Sequence, residues 1–186
     1  MLMSVPNSIT LLRICLIPCF VLSFYLPIPH AGMITAGIFC LAGLTDWLDG
    51  YLARKLNQTS RFGAFLDPVA DKLIVAVALV LIVGEFGSIW VTIPAAIIVS
   101  REIAISALRE WMAEIGKQAN VAVSYLGKVK TLIQILAIVI FLANPADWSL
   151  PIIKLGIVLM YVAVALTLWS MYNYLRAAII EVGFKD

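Results

Sequence analysis

Six runs of apolar residues, at 10–28, 32–53, 65–84, 88–108, 121–143 and 152–175, dominate this chain of 186 residues. Each is near the length of ~20 residues that an α-helix needs to cross the hydrocarbon core of a bilayer. Hydrophobic residues make up 63% of the sequence and charged residues 13%, where an average soluble domain has about 25% charged residues. These proportions argue against a soluble domain, a disordered chain or a nucleic-acid binder. The expected fold is an all-α integral membrane protein of six transmembrane helices, forming a single domain over residues 1–186. Arg13 lies inside the start of the first run and no small-residue cleavage site follows it, so that run is not expected to be a cleaved signal peptide. Cys15, Cys19 and Cys40 all fall in apolar stretches. Their odd number and position predict packing residues, not a disulfide framework or metal ligands.

The segments between the runs alternate in charge. Those at 27–31, 84–90 and 143–151 contain no Lys or Arg, and 12 of the 13 basic residues fall on the other side, with Lys154 the exception. The positive-inside rule then predicts both termini in the cytoplasm. Trp90 and Trp148 are expected at the outer interface, and Trp169, Tyr172 and Tyr174 at the inner one.

Against this apolar background stand four carboxylates, Asp46, Asp49, Asp67 and Asp71, near the cytoplasmic ends of the second and third runs. An aspartate at mid-span costs about 2.5–3.5 kcal/mol on insertion scales, and less near the interface. Asp46 and Asp49 are three apart and Asp67 and Asp71 four apart, so each pair projects from one helical face. A short polar turn, Lys55 to Arg61, predicts an antiparallel helix pair in which the two carboxylate pairs converge. Their repulsion must be neutralised. A buried ion-pair network with Arg54 and Lys72 is one solution. Two divalent cations are the other, and oxygen donors without Cys or His suit Mg²⁺ or Mn²⁺. Such a pair of ions clamps a diphosphate and favours in-line attack at phosphorus.

Gly50 and Ala53 follow Asp46 along its face, which leaves room for a ligand or for close helix packing. Arg54 offers a fork for phosphate oxygens, and Gly63 a place where backbone N–H groups can meet an anion. Pro68 after Asp67 predicts a helix start with Asp67 as N-cap.

Written out, the segment reads Asp46-x2-Asp49-Gly50-x2-Ala53-Arg54-x8-Gly63-x3-Asp67-x3-Asp71. It resembles the signature of the CDP-alcohol phosphotransferase family at all eight fixed positions. Pro6-Asn7-Ser8-Ile9-Thr10-x2-Arg13, the run Phe62 to Lys72, Ser100-Arg101-Glu102 and Gly127 to Thr131 are similar to the bacterial branch of that family that uses glycerol phosphate. The resemblance implies a six-helix homodimer in a bacterial inner membrane, with its active site facing the cytoplasm. The implied reaction moves a phosphatidyl group from CDP-diacylglycerol to sn-glycerol 3-phosphate, giving phosphatidylglycerophosphate and CMP. By position, Asp46, Asp49, Asp67 and Asp71 would hold two divalent ions, with Asp71 also the general base. Gly50, Arg54 and Ser60 would contact the CDP moiety, and Ala53 and Gly63 would leave room for it.

An acceptor that is a phosphate dianion calls for a basic pocket. Arg101 and Arg109, eight apart near the cytoplasmic end of the fourth run, and Lys128 and Lys130 at the start of the fifth are the candidates. Positive-inside topology accounts for the same residues, and Glu102 and Glu110 either pair with them or face solvent. Asn7, Thr10 and Arg13 match a family feature, but helix capping and inside-face anchoring explain them equally, so no chemistry is assigned to them. His30 is expected to be an exposed loop residue. Rival readings are a membrane prenyltransferase, a carboxylate-based ion or proton carrier, and the same family with inositol phosphate or serine as acceptor.

Overall fold

A computed structural model shows six helices: α1 (Val5–Phe24), α2 (Ala31–Lys55), α3 (Arg61–Phe86), α4 (Ile89–Glu114), α5 (Tyr125–Ala143) and α6 (Pro151–Val182). The residues described are 5–55, 61–116 and 125–182, without the side chains of 5–8, 46–55, 61, 62, 64, 125–128 and 182. Among the described residues, each expected apolar run maps onto one helix, with small differences at the ends. α1 stops at Phe24 and not at 28, because Pro27 and Pro29 sit in the segment that follows and disfavour helix there. His30, exposed and at φ 67°, turns the chain into α2.

One boundary differs in kind. Asp67 does not cap a helix: α3 begins at Arg61, and Pro68 lies inside it. A proline there removes a single backbone donor, a loss tolerated in apolar helices where neighbours satisfy the freed carbonyl.

Two of the helices, Ile89–Glu114 and Pro151–Glu181, are long and apolar enough to cross a membrane. Leu22, Met33, Val80, Trp90, Ile103, Trp169 and Ile180 are each at least 60% exposed. Soluble monomers rarely carry so much apolar surface, and such faces suit hydrocarbon. Cys15, Cys19 and Cys40 are exposed free thiols on these faces, not core packing residues.

The chain divides into two compact units, residues 1–86 with 139–149 and residues 87–138 with 150–186. In the first, α1 packs along both α2 and α3, which touch one another over a shorter stretch. Thr10, Arg13 and Phe20 form the buried line of α1, and Gly63, Leu66, Ala70, Ile74 and Ala78 that of α3. Phe20 meets Phe39 of α2 with ring centres 6.2 Å apart. The buried Ser23 and Thr35 hydroxyls lie 2.9 Å apart, each also within hydrogen-bond reach of a carbonyl one turn back, so that one donates to the other and the other to its carbonyl. Phe86 packs edge-on against Phe141 and Trp148, tying the end of α3 to the turn after α5. In that turn the hydroxyl and N–H of Ser149 hold the Asp147 carboxyl below the usual carboxylate range.

A close approach also fixes the start of α2. A Cβ on Gly32 would lie 2.5 Å from the Leu142 carbonyl oxygen, whereas one on Gly37 would meet open space. Gly32→Ala is therefore expected to destabilise the fold by about 1–3 kcal/mol, the usual range for overpacking. Gly37→Ala is expected to be neutral or slightly stabilising. Thermal unfolding of the two variants in one detergent checks the contrast.

In the second unit α4 packs on α6. Val91, Ile98, Ile105 and Met112 of α4 are buried at a spacing of seven, as are Ile153, Met160, Thr167 and Tyr174 of α6. This seam is the pattern of coiled-coil packing. Side-chain contacts join residue 101 to 170 and residue 109 to 174, so the two helices run in the same direction.

Candidate functional site

Helix register does the first part of the work. Asp67 and Asp71 stand one turn apart on α3, beside its buried line; Asp67 is half-buried and Asp71 exposed. Gly63, a turn before Asp67, is buried. Thr10 of α1 is wholly buried, and its hydroxyl donates to Asp67 Oδ1 at 2.6 Å. The bond joins two helices across 57 residues of sequence and fixes one carboxylate oxygen. Arg13, one turn on from Thr10 along α1, is 1% exposed.

Asp46, Asp49, Gly50, Ala53 and Arg54 belong to the C-terminal part of α2. Their side chains, and Ser60 altogether, lie outside the described residues. Among the described residues no three His, Cys, Asp or Glu side chains gather as a metal site, and only Asp67 and Asp71 of the four aspartates are among those side chains. The donor chemistry suits a hard divalent cation. Its groups are carboxylate oxygens set one turn apart, and one of them is oriented by a buried hydroxyl, as outer-shell partners orient metal-binding carboxylates. A cavity of about 360 Å³ opens at the opposite end of α2. It is lined by His30, Gly32, Glu85, Asn144 and apolar neighbours, and contains none of the four aspartates.

The second unit holds a basic cluster. Arg101 Nη1 and Lys130 Nζ both donate to Glu102 Oε1, at 2.7 and 3.0 Å. Arg101 Nη2 reaches Ser170 of α6 at 3.2 Å. The Arg101 and Lys130 side chains are only 10% and 7% exposed, so these are not freely solvated surface charges. Arg109 lies over the Tyr174 ring, 5.4 Å from its centre, a cation–π contact. Both arginines thus turn to α6, one face of α4 carrying the two at their spacing of eight. Lys128 is on α5 with its side chain outside the described residues. Glu102 joins the cations, while Glu110 is exposed.

Three further assignments change with the structure. Tyr174 does not face outward as an interface aromatic would: it is 8% exposed, because it lies on the α6 seam that faces α4. Arg13 is not an outward-facing anchor but is buried along α1. Thr10 is no cap, since α1 has already run past its first turn at that point. The visible signal was a polar pair, Thr10 and Arg13, three apart inside an apolar helix.

Fold and side chains together describe an all-helical protein with two long apolar helices, a pair of aspartates one turn apart on one helix group and a buried basic cluster on another. The model of the CDP-alcohol phosphatidyltransferase family matches residues 3–169. The chain belongs to that family. It is 57% identical over 178 residues to a protein of Sodalis glossinidius named CDP-diacylglycerol–glycerol-3-phosphate 3-phosphatidyltransferase, with 96% of each chain covered. Proteins of the same name from Salmonella typhimurium and Shigella flexneri are 56% and 55% identical over 175 residues, 94% of each chain.

Proposed function

We propose that this protein is a transferase of phospholipid synthesis that moves a phosphatidyl group from CDP-diacylglycerol to sn-glycerol 3-phosphate, giving phosphatidylglycerophosphate and CMP. The observation that carries this reading is identity of 55–57% over 94–96% of the chain to relatives of that one name.

In the reaction, the acceptor hydroxyl oxygen forms a bond to the phosphorus that bears diacylglycerol, and the bond from that phosphorus to CMP breaks. The hydroxyl proton passes to the Asp71 carboxylate. Two divalent ions, Mg²⁺ or Mn²⁺, held by Asp46, Asp49, Asp67 and Asp71, would supply charge neutralisation for the diphosphate and the leaving CMP. Arg54 forks onto phosphate oxygens, Gly50 and Ser60 contact the CDP moiety, and Ala53 and Gly63 leave space for it. Arg101, Arg109, Lys128 and Lys130 bind the acceptor's phosphate. For Arg101 and Lys130 the support is their burial around Glu102, a single anion that two cations already share.

The chain is read as one membrane domain over residues 1–186 with six spans and both termini in the cytoplasm. The charge asymmetry and the common direction of α4 and α6 support that topology, since α5 must cross back between them. The aspartates then face the cytoplasm at a bacterial inner membrane, and the protein acts as a homodimer.

Solubilised protein, CDP-diacylglycerol, Mg²⁺ or Mn²⁺ and radiolabelled glycerol 3-phosphate test the reading. Metal-dependent formation of labelled phosphatidylglycerophosphate is the expected result. CMP release only with another alcohol would retain the family and overturn the acceptor. No CMP release from folded protein with any acceptor would overturn the reaction.

A further inference from the structure

We infer that Thr10 is a positioning residue for a divalent-cation site, acting through Asp67. The inference rests on the reading of Asp67 as a metal ligand, and it goes beyond that reading by making the first helix part of the site. Thr10 is 0% exposed, and its hydroxyl lies 2.6 Å from Asp67 Oδ1, a short hydrogen bond to a carboxylate. Asp67 belongs to α3 and Thr10 to α1, the helix that packs along both α2 and α3. A carboxylate on a helix retains rotation about its side-chain bonds, so backbone register alone leaves its oxygens undirected. The hydroxyl removes that freedom at Oδ1.

Hydrogen bonds to metal ligands of this kind hold the ligand in its binding geometry before the cation arrives. Thr10→Val keeps the size and branching of the side chain and deletes the donor, while Thr10→Ser keeps the donor and deletes a methyl group. The pair separates hydrogen bonding from packing.

The test is Mn²⁺ binding to purified full-length protein in detergent, with free Mn²⁺ read by electron paramagnetic resonance and no substrate present. Wild type, Thr10→Val, Thr10→Ser and Asp67→Asn are compared, with helical circular dichroism to establish folding. Thr10→Val is expected to weaken Mn²⁺ binding about 10–100-fold, the range for loss of an outer-shell partner. Thr10→Ser is expected to bind as wild type does. Wild-type affinity in Thr10→Val, or equal weakening in the Val and Ser variants, would overturn the role of the hydroxyl while leaving Asp67 as ligand. Wild-type affinity in Asp67→Asn would instead overturn the ligand reading, and the inference with it. If Thr10→Val does not fold, Thr10→Ala is read against Thr10→Ser in the same titration.

Discussion

Replacing Asp71 with Asn is expected to lower kcat for phosphatidyl transfer by about 10²–10⁴-fold, the usual contribution of a positioned general base. Asparagine has nearly the same shape and keeps one oxygen donor, but it cannot take up the acceptor's proton. Asp71 suits the role by position: it is exposed on α3, one turn beyond Asp67, where an incoming hydroxyl has access. Asp67, half-buried and held by Thr10, is the better-fixed ligand and the poorer base. The expected loss in Asp71→Asn persists at saturating Mn²⁺, because extra cation does not replace a proton acceptor. Recovery of the wild-type rate at high Mn²⁺ would assign Asp71 to cation binding alone. Steady-state rates at several Mn²⁺ concentrations, with both substrates saturating, distinguish these results.

The second large effect is expected at Arg101. Hydrogen bonds to charged groups contribute roughly 1.5–3 kcal/mol, so Arg101→Ala should raise KM for glycerol 3-phosphate on the order of 10–100-fold. KM for CDP-diacylglycerol should move little. The expectation follows from where the guanidinium sits. It is only 10% exposed, and it directs Nη1 to Glu102 and Nη2 to Ser170. Losing it leaves Glu102 with Lys130 as its partner in this cluster and removes half of the cation pair that an incoming phosphate would share. Arg101→Lys keeps the charge but not the fork, and should fall between the two. Equal rises in both KM values, from folded protein, would show a general structural role instead.

Apolar runs of membrane-spanning length predict the helices, because the length and hydropathy of a span are local properties. Pro27 and Pro29 even contain the reason that α1 ends at Phe24, although the apolar run extends to 28. The spacing of Asp67 and Asp71 places them one turn apart on α3, and the spacing of Arg101 and Arg109 puts both near one face of α4, since helical periodicity decides both matters.

Periodicity does not say which face of a helix meets which neighbour, and the remaining features depend on that choice. Thr10 and Arg13 look like end-of-helix residues until α1 is seen to pack along α3, where Thr10 becomes a partner of Asp67. Glu102 has equal claim to solvent or to the cations until α5 brings Lys130 to within 3.0 Å of it. Tyr174 reads as an interface aromatic until the α4–α6 seam buries it under Arg109. Asp67 followed by Pro68 reads as a cap, yet α3 continues through both. Helix lengths, apolar stretches and the register of the acidic and basic groups follow from local residue order. Only tertiary packing decided which hydroxyl orients Asp67 and which anion gathers Arg101 and Lys130, because a hydrogen bond between helices requires two faces to meet, and neither face encodes the other locally.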